Sequence, residues 1–350
     1  MSASKGLESE IELGAIAAPA ATPAWQRALL VLLGLVVAIA PIFVLESFHL
    51  FQLTMAVIMA LAVLGLNIVS GYNGQISLGH GAFFAVGAYI TAILMSHWDW
   101  SFWATLPFSA AICAAVGFAI GFPALRLAGH YLALTTFSLA VAVPQILKHK
   151  SIEDWTGGVQ GLFLVKPDAP AGIALSPDQW MYLVTVIVAG ACFLLVANLI
   201  RSRIGRALMA TRDHPTAAEA MGMDIASLKT KAFAVSAMVT GIAGSLSAVA
   251  IEFVAPDSFG FGVSITLFVG MVVGGVASIL GSLFGGLFVL FVPNIAEAIS
   301  KAAPGVIYGI LLIAFLFILP DGFAGLLGRA RDCHASYYDA FRKQRYDAGG

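Results

Sequence analysis

The chain has 350 residues, of which 60% are hydrophobic and 11% charged, and its formal net charge is −1. A water-soluble domain carries about 25% charged residues, so this composition excludes an ordinary soluble enzyme, and the near-zero charge offers no basic surface for nucleic acid. The three cysteines, Cys113, Cys192 and Cys333, are scattered without C-x-x-C spacing, which argues against a disulfide framework or a zinc site.

In chain order, residues 1–24 hold three glutamates and one lysine ahead of the Ala-rich stretch AIAAPAATPA. That is a poor start for a cleavable signal, and a flexible cytoplasmic tail is expected. Ten apolar runs follow, near 27–45, 50–70, 75–96, 102–121, 131–147, 181–200, 231–252, 264–279, 281–298 and 305–320. Most approach or exceed the roughly 20 residues a helix needs to cross hydrocarbon. The runs around 75–96 and 264–298 are Gly-rich and are candidates for broken or re-entrant helices, tolerated where protein buries them. The predicted fold class is therefore all-α: a polytopic transmembrane helical bundle of about eight to ten spans, occupying residues 25–328.

Within 71–89, glycines at 71, 74, 79, 81 and 87 are interleaved with Asn73, Gln75, Ser77 and His80. Backbone exposed in a broken helix binds zwitterions in transporters, which makes these four polar residues candidates for a substrate pathway. Small-residue helix packing accounts for the glycines equally well. For His80, a buried imidazole hydrogen-bonded to backbone is the preferred reading and a pathway group the second. Thr135 and Thr136 near the start of the fifth run either face the pathway or back-bond to their own helix, the commoner fate of such hydroxyls.

The stretch 148–180 contains KHKSIEDWTGGVQGL, in which Thr156, Gly157, Gly158 and Gly161 predict a tight turn beside Glu153 and Asp154. It is either a landing surface for a soluble partner or an ordinary solvated loop. Residues 201–224 then bring four arginines, Arg201, Arg203, Arg206 and Arg212, between two apolar runs. A short helix is predicted directly after them, with Asp213 or His214 as cap, Pro215 near its first position, Glu219 inside and Gly222 as stop. A helix this short is unstable alone and needs a partner groove. Ala217, Ala218 and Ala220 would form a small seating surface with Glu219 at its rim. Arg201 and Arg203 are read as anchors to the inner membrane surface. Arg206, Arg212, Asp213, Pro215, Glu219, Ala220 and Gly222 are the candidate contacts to a motor protein. The pairs Gly270/Gly274 and Gly281/Gly285 predict tight helix contacts, within the subunit or with a sister subunit.

Charge sets the orientation. With ten spans and both ends on one side, Lys148, Lys150, Lys166 and Lys301 fall on the opposite side, and the other fourteen of the 18 Lys and Arg (18 − 4) share the side of the termini. By the positive-inside rule that side is cytoplasmic, which makes 148–180 an external loop, 201–230 a cytoplasmic segment and 329–350 a second cytoplasmic tail. The runs themselves are almost free of charge, whereas ion-driven carriers need intramembrane acids or histidines; Glu297, near the end of a run, reads as interfacial. The sequence lacks a G-x-x-x-x-G-K-[ST] phosphate loop. No metal and no cofactor are expected in this chain, and ATP with Mg is expected on separate ATPase subunits.

Residues 67–89, NIVSGYNGQISLGHGAFFAVGAY, are similar to the signature of permeases of the branched-chain amino acid ABC importers. PALRLAGHYLALTT (123–136), WTGGVQGL (155–162) and RSRIGRALMATRDHPTAAEAMG (201–222) resemble further stretches of that family. The resemblance covers roughly residues 50–328 and is closest to the second, larger type of permease subunit. It implies a multi-pass protein of the bacterial inner membrane with both termini cytoplasmic. It also implies a sister permease subunit, two ATPase subunits, and a periplasmic binding protein that delivers leucine-, isoleucine- or valine-type amino acids. On that resemblance 201–230 is the coupling segment, and Thr156, Gly157, Gly158 and Gly161 belong to the binding-protein side. Urea importer permeases look similar, so urea or a short amide is the alternative cargo. An ion-coupled secondary transporter is the alternative of a different class. For an enzyme, no metal-ligand cluster or nucleophile–base pair stands out.

Overall fold

The computed structural model describes residues 39–124, 130–170, 175–299, 304–319 and 322–326. The predicted tails 1–24 and 329–350, and residues 27–38 of the first predicted run, lie outside the described residues. The chain divides into two units, Met1–Leu45 and Glu46–Gly350. In the first, the described part is one helical turn, Pro41–Val44, opened by its proline and closed by Leu45 N–H donating to the Pro41 carbonyl.

The second unit carries the long helices: α1 (Ser47–Asn67), α2 (His80–Trp98), α3 (Phe102–Ala124), α4 (His130–Leu147), α5 (Pro177–Arg201), α6 (Arg203–Asp213), α7 (Pro215–Ala220), α8 (Ile225–Ile251), α9 (Phe261–Gly274), α10 (Ile279–Ile299) and α11 (Pro304–Ile318). Among the described residues seven helical stretches are long and apolar enough to cross a membrane, and Tyr131–Leu147 and Gly305–Phe315 are apolar but shorter. These nine coincide with nine of the ten predicted runs. The run predicted at 75–96 starts later, at His80, because residues 73–79 are not helical. The Gly-rich stretch 264–298 is two helices, α9 and α10, separated by a non-helical connection at 275–278.

The centre of this unit is α8, which packs against α1, α2 and α3. One side of it reads Phe233, Ser236, Ala237, Thr240, Gly241, Gly244, Ser245 and Ala248, spaced by three and four residues, and all are buried. In lipid no hydrophobic force separates helix from solvent, so association depends on close contact between small residues. A side chain on Gly87 of α2 would run into the carbonyl of Gly241, and one on Gly117 of α3 would stand 2.5 Å from the Ala237 methyl. Hydroxyls close the same seams: Ser245 lies 2.7 Å from Ser109 of α3, and both reach the Gly87 carbonyl, at 3.1 and 3.3 Å. The predicted small-residue faces meet each other within the subunit, Gly270 against Gly285 and Gly274 against Gly281, and join α9 to α10.

At one end of the bundle a two-stranded ribbon pairs β1 (Leu162–Phe163) antiparallel with β2 (Phe253–Val254). It is extended by Leu164 N–H donating to the Glu252 carbonyl at 2.9 Å. Lys166 then pairs with Asp178 at 2.9 Å and Glu252 at 3.4 Å, which ties the start of α5 to the end of α8. Ser176 and Gln179 form a reciprocal capping box on α5. Outward faces of α5 and α11 leave Ile187, Leu194, Leu195, Val306, Ile310 and Ile313 exposed, as surfaces turned to hydrocarbon would.

Gly87→Leu is expected to lower stability by about 1–3 kcal/mol through overpacking, read as a lower melting temperature of the purified subunit in detergent. Gly190→Ala on α5 meets nothing within 4 Å and should stay within about 0.5 kcal/mol of the parent.

Candidate functional site

The first break in the bundle begins where α1 fails to stop. After Asn67 the chain continues as a π turn, Ile68–Tyr72, closed by Asn73 N–H donating to the Ile68 carbonyl at 3.2 Å. Wide turns of this kind concentrate at functional sites. Gly74 follows with φ +70°, and the chain remains irregular until His80 opens α2. A break inside hydrocarbon strands backbone donors and acceptors, each at a cost of several kcal/mol if unpaired.

Here the stranded groups find partners. Gln75 N–H donates to the Val69 carbonyl at 3.0 Å, and the Ser70 hydroxyl donates to the Gln75 carbonyl at 3.0 Å. Ser77 N–H reaches Ser70 Oγ at 3.3 Å, and Leu78 N–H reaches Thr136 Oγ1 of α4 at 3.0 Å. Gly81 N–H donates to Ser264 Oγ of α9 at 3.0 Å. Three elements outside the break therefore hold it: α4, α9 and, as described below, α6.

Asn67 connects this break to the second one. It is 0% exposed. Its Oδ1 accepts from Ala277 N–H at 2.8 Å, and its Nδ2 reaches the Ser278 carbonyl at 2.9 Å and Ser282 Oγ at 3.0 Å. Ala277 is held at φ +57° and Gly275 at φ +121°, conformations that L side chains avoid. One amide thus stabilises a strained connection more than two hundred residues away in sequence, spanning 208 to 215 positions.

His80 is 1% exposed. Its Nε2 lies 2.5 Å from Ser236 Oγ, whose hydroxyl donates to the Gly65 carbonyl, also at 2.5 Å. The single serine proton is thereby committed, so Nε2 of His80 carries the hydrogen, and Nδ1 accepts from the Ser77 hydroxyl at 2.9 Å. The partners of this buried histidine are two side-chain hydroxyls, in place of the backbone groups that the sequence suggested. Phe83 and Phe233 enclose the ring, with centroids 5.7 and 6.0 Å away.

The structure brings Asn73, Gln75, Ser77, His80 and Thr136 together around the first break, all buried. Thr136 both back-bonds to the Leu132 carbonyl at 3.0 Å and serves Leu78. Thr135 stands apart on an exposed face and back-bonds to the Tyr131 carbonyl at 2.9 Å. Asn73 is 2% exposed, and neither its Nδ2 nor its Oδ1 has a hydrogen-bond partner among the described residues. Asn67, Ser236 and Ser264 are structural members of the site that the sequence did not single out. A lone amide ending an apolar run and, for Ser236, a hydroxyl at helical spacing with Phe233 were the available signals.

The arginine-rich segment folds as predicted in outline. α6 is capped by Ser202, which accepts from Ile204 N–H at 3.1 Å. α7 follows with His214 as its cap residue and Pro215 first. Met223 N–H donates to the Ala218 carbonyl at 3.1 Å, and Gly222 at φ +81° ends the helix. Asp224 then caps α8 through Ser227 N–H at 3.0 Å. Ala218 is buried against its own chain, whereas Pro215, Ala217, Glu219 and Ala220 are exposed. Arg206 is exposed and donates to the Arg201 carbonyl at 3.1 Å. Arg212 turns inward: its Nε binds Asp213 Oδ1 at 2.8 Å and its Nη1 donates to the Gly71 carbonyl at 3.0 Å. The guanidinium holds the Asp213 carboxyl below the usual carboxylate range.

On the opposite end, the Thr156 hydroxyl donates to the Leu147 carbonyl at 2.7 Å and accepts from Gly158 N–H at 3.3 Å. Gly157, Gly158 and Gly161 adopt φ of +71°, +53° and +75°, so they shape the turn that leaves Trp155 and Val159 exposed at its tip.

Asn67→Leu should cost about 1–3 kcal/mol, because it leaves the Ala277 N–H and the Ser278 carbonyl unpaired in the interior. Thr135→Val, which removes only an exposed back-bond, should leave the melting temperature in detergent unchanged.

The family model described as branched-chain amino acid transport system / permease component matches residues 48–316. The chain is 32% identical over 267 residues to the high-affinity branched-chain amino acid transport system permease protein LivM of Salmonella typhimurium, which covers 70% of this chain and 62% of that protein, under two thirds of the relative's length. It is 29% identical over 317 residues to LivM of Escherichia coli, covering 84% and 72%, and 27% identical over 309 residues to BraD of Pseudomonas aeruginosa, covering 80% and 97%. No solved structure matches the chain. The family match runs from the start of α1 into α11 and takes in both breaks, α6 and α7; the chain belongs to the branched-chain amino acid transport permease family.

Proposed function

We propose that this chain is one membrane-spanning subunit of an ATP-driven importer in the bacterial inner membrane. It passes leucine-, isoleucine- or valine-type amino acids handed over by a periplasmic binding protein. A sister permease subunit would complete the pathway, and two ATPase subunits, which carry the ATP and Mg, would drive it. Both termini lie on the cytoplasmic side in this reading, with α6 and α7.

The observation that carries the coupling part is α7. Six residues cannot sustain a helix in water, yet α7 is covered by its own chain only at Ala218, and its remaining side chains are exposed. Pro215, Ala217 and Ala220 offer a small surface, with Glu219 and nearby Arg206 as charges at its rim. Such a surface suits a groove on a motor subunit. The turn at Thr156, Gly157, Gly158 and Gly161, with Trp155 at its tip, is the corresponding surface for the binding protein.

The first break, with Asn73, Gln75, Ser77, His80 and Thr136 around it, is the proposed contribution to the substrate pathway. Thr135, on an exposed helix face, would join it only at a surface shared with the sister subunit. Broken helices mark binding sites in transporters. The Asn73 amide, without a partner among the described residues, offers a donor and an acceptor, which an ammonium and a carboxylate require. The cargo is supported by the names of the relatives.

The test is uptake by proteoliposomes that hold the full complex with its binding protein. Leucine uptake should require ATP. Ala220→Trp should release the ATPase subunits on purification, and ATPase retention with full transport would refute the docking surface. Asn73→Leu should keep the complex assembled and lower uptake about tenfold, the effect of losing about 1.4 kcal/mol. Uptake of urea alone would overturn the cargo. Uptake that survives ATP depletion and follows an ion gradient would overturn the class.

A further inference from the structure

We propose that Arg212 is a positioning residue that transmits the movement of α7 to the broken helix between α1 and α2. The inference rests on the reading of α7 as the motor-docking element. It concerns what happens after docking.

Arg212 lies in the last turn of α6, two residues before His214, the cap residue of α7. Its guanidinium donates to the Gly71 carbonyl at 3.0 Å, across 141 positions of sequence. Its aliphatic stem forms a second contact. Gly74 rests on it so closely that an added Cβ would stand 2.6 Å from Arg212 Cγ. The two contacts straddle Asn73, the buried residue whose amide has no partner among the described residues. α6 itself packs against α5, α7, α8 and the π turn. A shift of α7 that carries α6 along must therefore push Gly74 or pull Gly71, and either displaces Asn73.

The chemistry favours arginine at this position. The planar fork serves Asp213 with Nε and Gly71 with Nη1 at once, and it loses little freedom in doing so. A lysine ammonium is a point donor on a flexible stem and cannot hold both directions. The side chain is 32% exposed, so the charge-assisted bond to Gly71 is only partly screened by water. Arg212 thus commits two of its five N–H donors to its own chain. That separates it from Arg206 and Glu219, which stand exposed.

The experiment uses the complete complex with binding protein in proteoliposomes and measures subunit composition, ATP hydrolysis and leucine uptake per ATP. Arg212→Gln and Arg212→Lys should retain both ATPase subunits and their hydrolysis while uptake per ATP falls about tenfold. Gly74→Ala, which leaves Arg212 in place but displaces its stem, should produce the same uncoupling and decides the case if Arg212→Gln lowers the melting temperature. Gly190→Ala, which meets nothing within 4 Å, should stay within twofold of the parent. Loss of the ATPases from Arg212→Gln at an unchanged melting temperature would make Arg212 a docking contact and overturn the proposal. Unchanged uptake per ATP in Gly74→Ala would overturn it too. Retention of the ATPases by Ala220→Trp would count against the docking reading alone.

Discussion

Hydrocarbon supplies no water to a backbone that leaves its helix, and this constraint dictates where the polar residues of the chain stand. Among the described residues, two non-helical connections join long helices at 73–79 and 275–278. Each draws hydrogen-bond partners from outside itself. Thr136 and Ser264 serve the amides of Leu78 and Gly81, Arg212 serves the carbonyl of Gly71, and Asn67 serves both sides of the second break. The His80–Ser236–Gly65 chain fixes the point at which α2 restarts. In a soluble protein many of these groups would turn to water, and their side chains would be free to vary. Here each partner stands in for a solvent molecule that is not available.

Close approach of helices is the second consequence. Short hydroxyls and amides reach across a seam only when the backbones are near, and α8 secures this with its row of small residues. Gly241 and Gly244 bring α2 within reach, and Ala237 admits α3. The same row presents Ser236 and Ser245 to their carbonyl acceptors. Packing and polar satisfaction are thus one arrangement, in which adding a methylene group harms both.

Much of the architecture was legible from local pattern. Nine apolar runs match described helices, because hydrophobic length alone marks a span. Pro215 and Gly222 bracketed α7 correctly, because helix starts and stops are written in adjacent residues. The glycine pairs at 270/274 and 281/285 were recognisable as contact faces, although their partner was left open between a sister subunit and each other. The ties between distant elements could not be read. His80 meets Ser236 at a separation of 156 residues and Asn67 meets Ser282 at 215, and nothing in the neighbourhood of either residue names its partner. Arg212 illustrates the same limit. In sequence it is one of four similar arginines, and only the fold directs it to Gly71, whereas Arg206 stays exposed.

Backbone amide hydrogen exchange on the full chain in lipid nanodiscs tests the central constraint most directly. If the first break is held by the partners described, the amides of Gln75, Ser77, Leu78 and Gly81 exchange as slowly as those of the flanking helices α1 and α2, although residues 73–79 are not helical. Exchange of these four amides at the rate of an open loop, with α1 and α2 still protected, would contradict it.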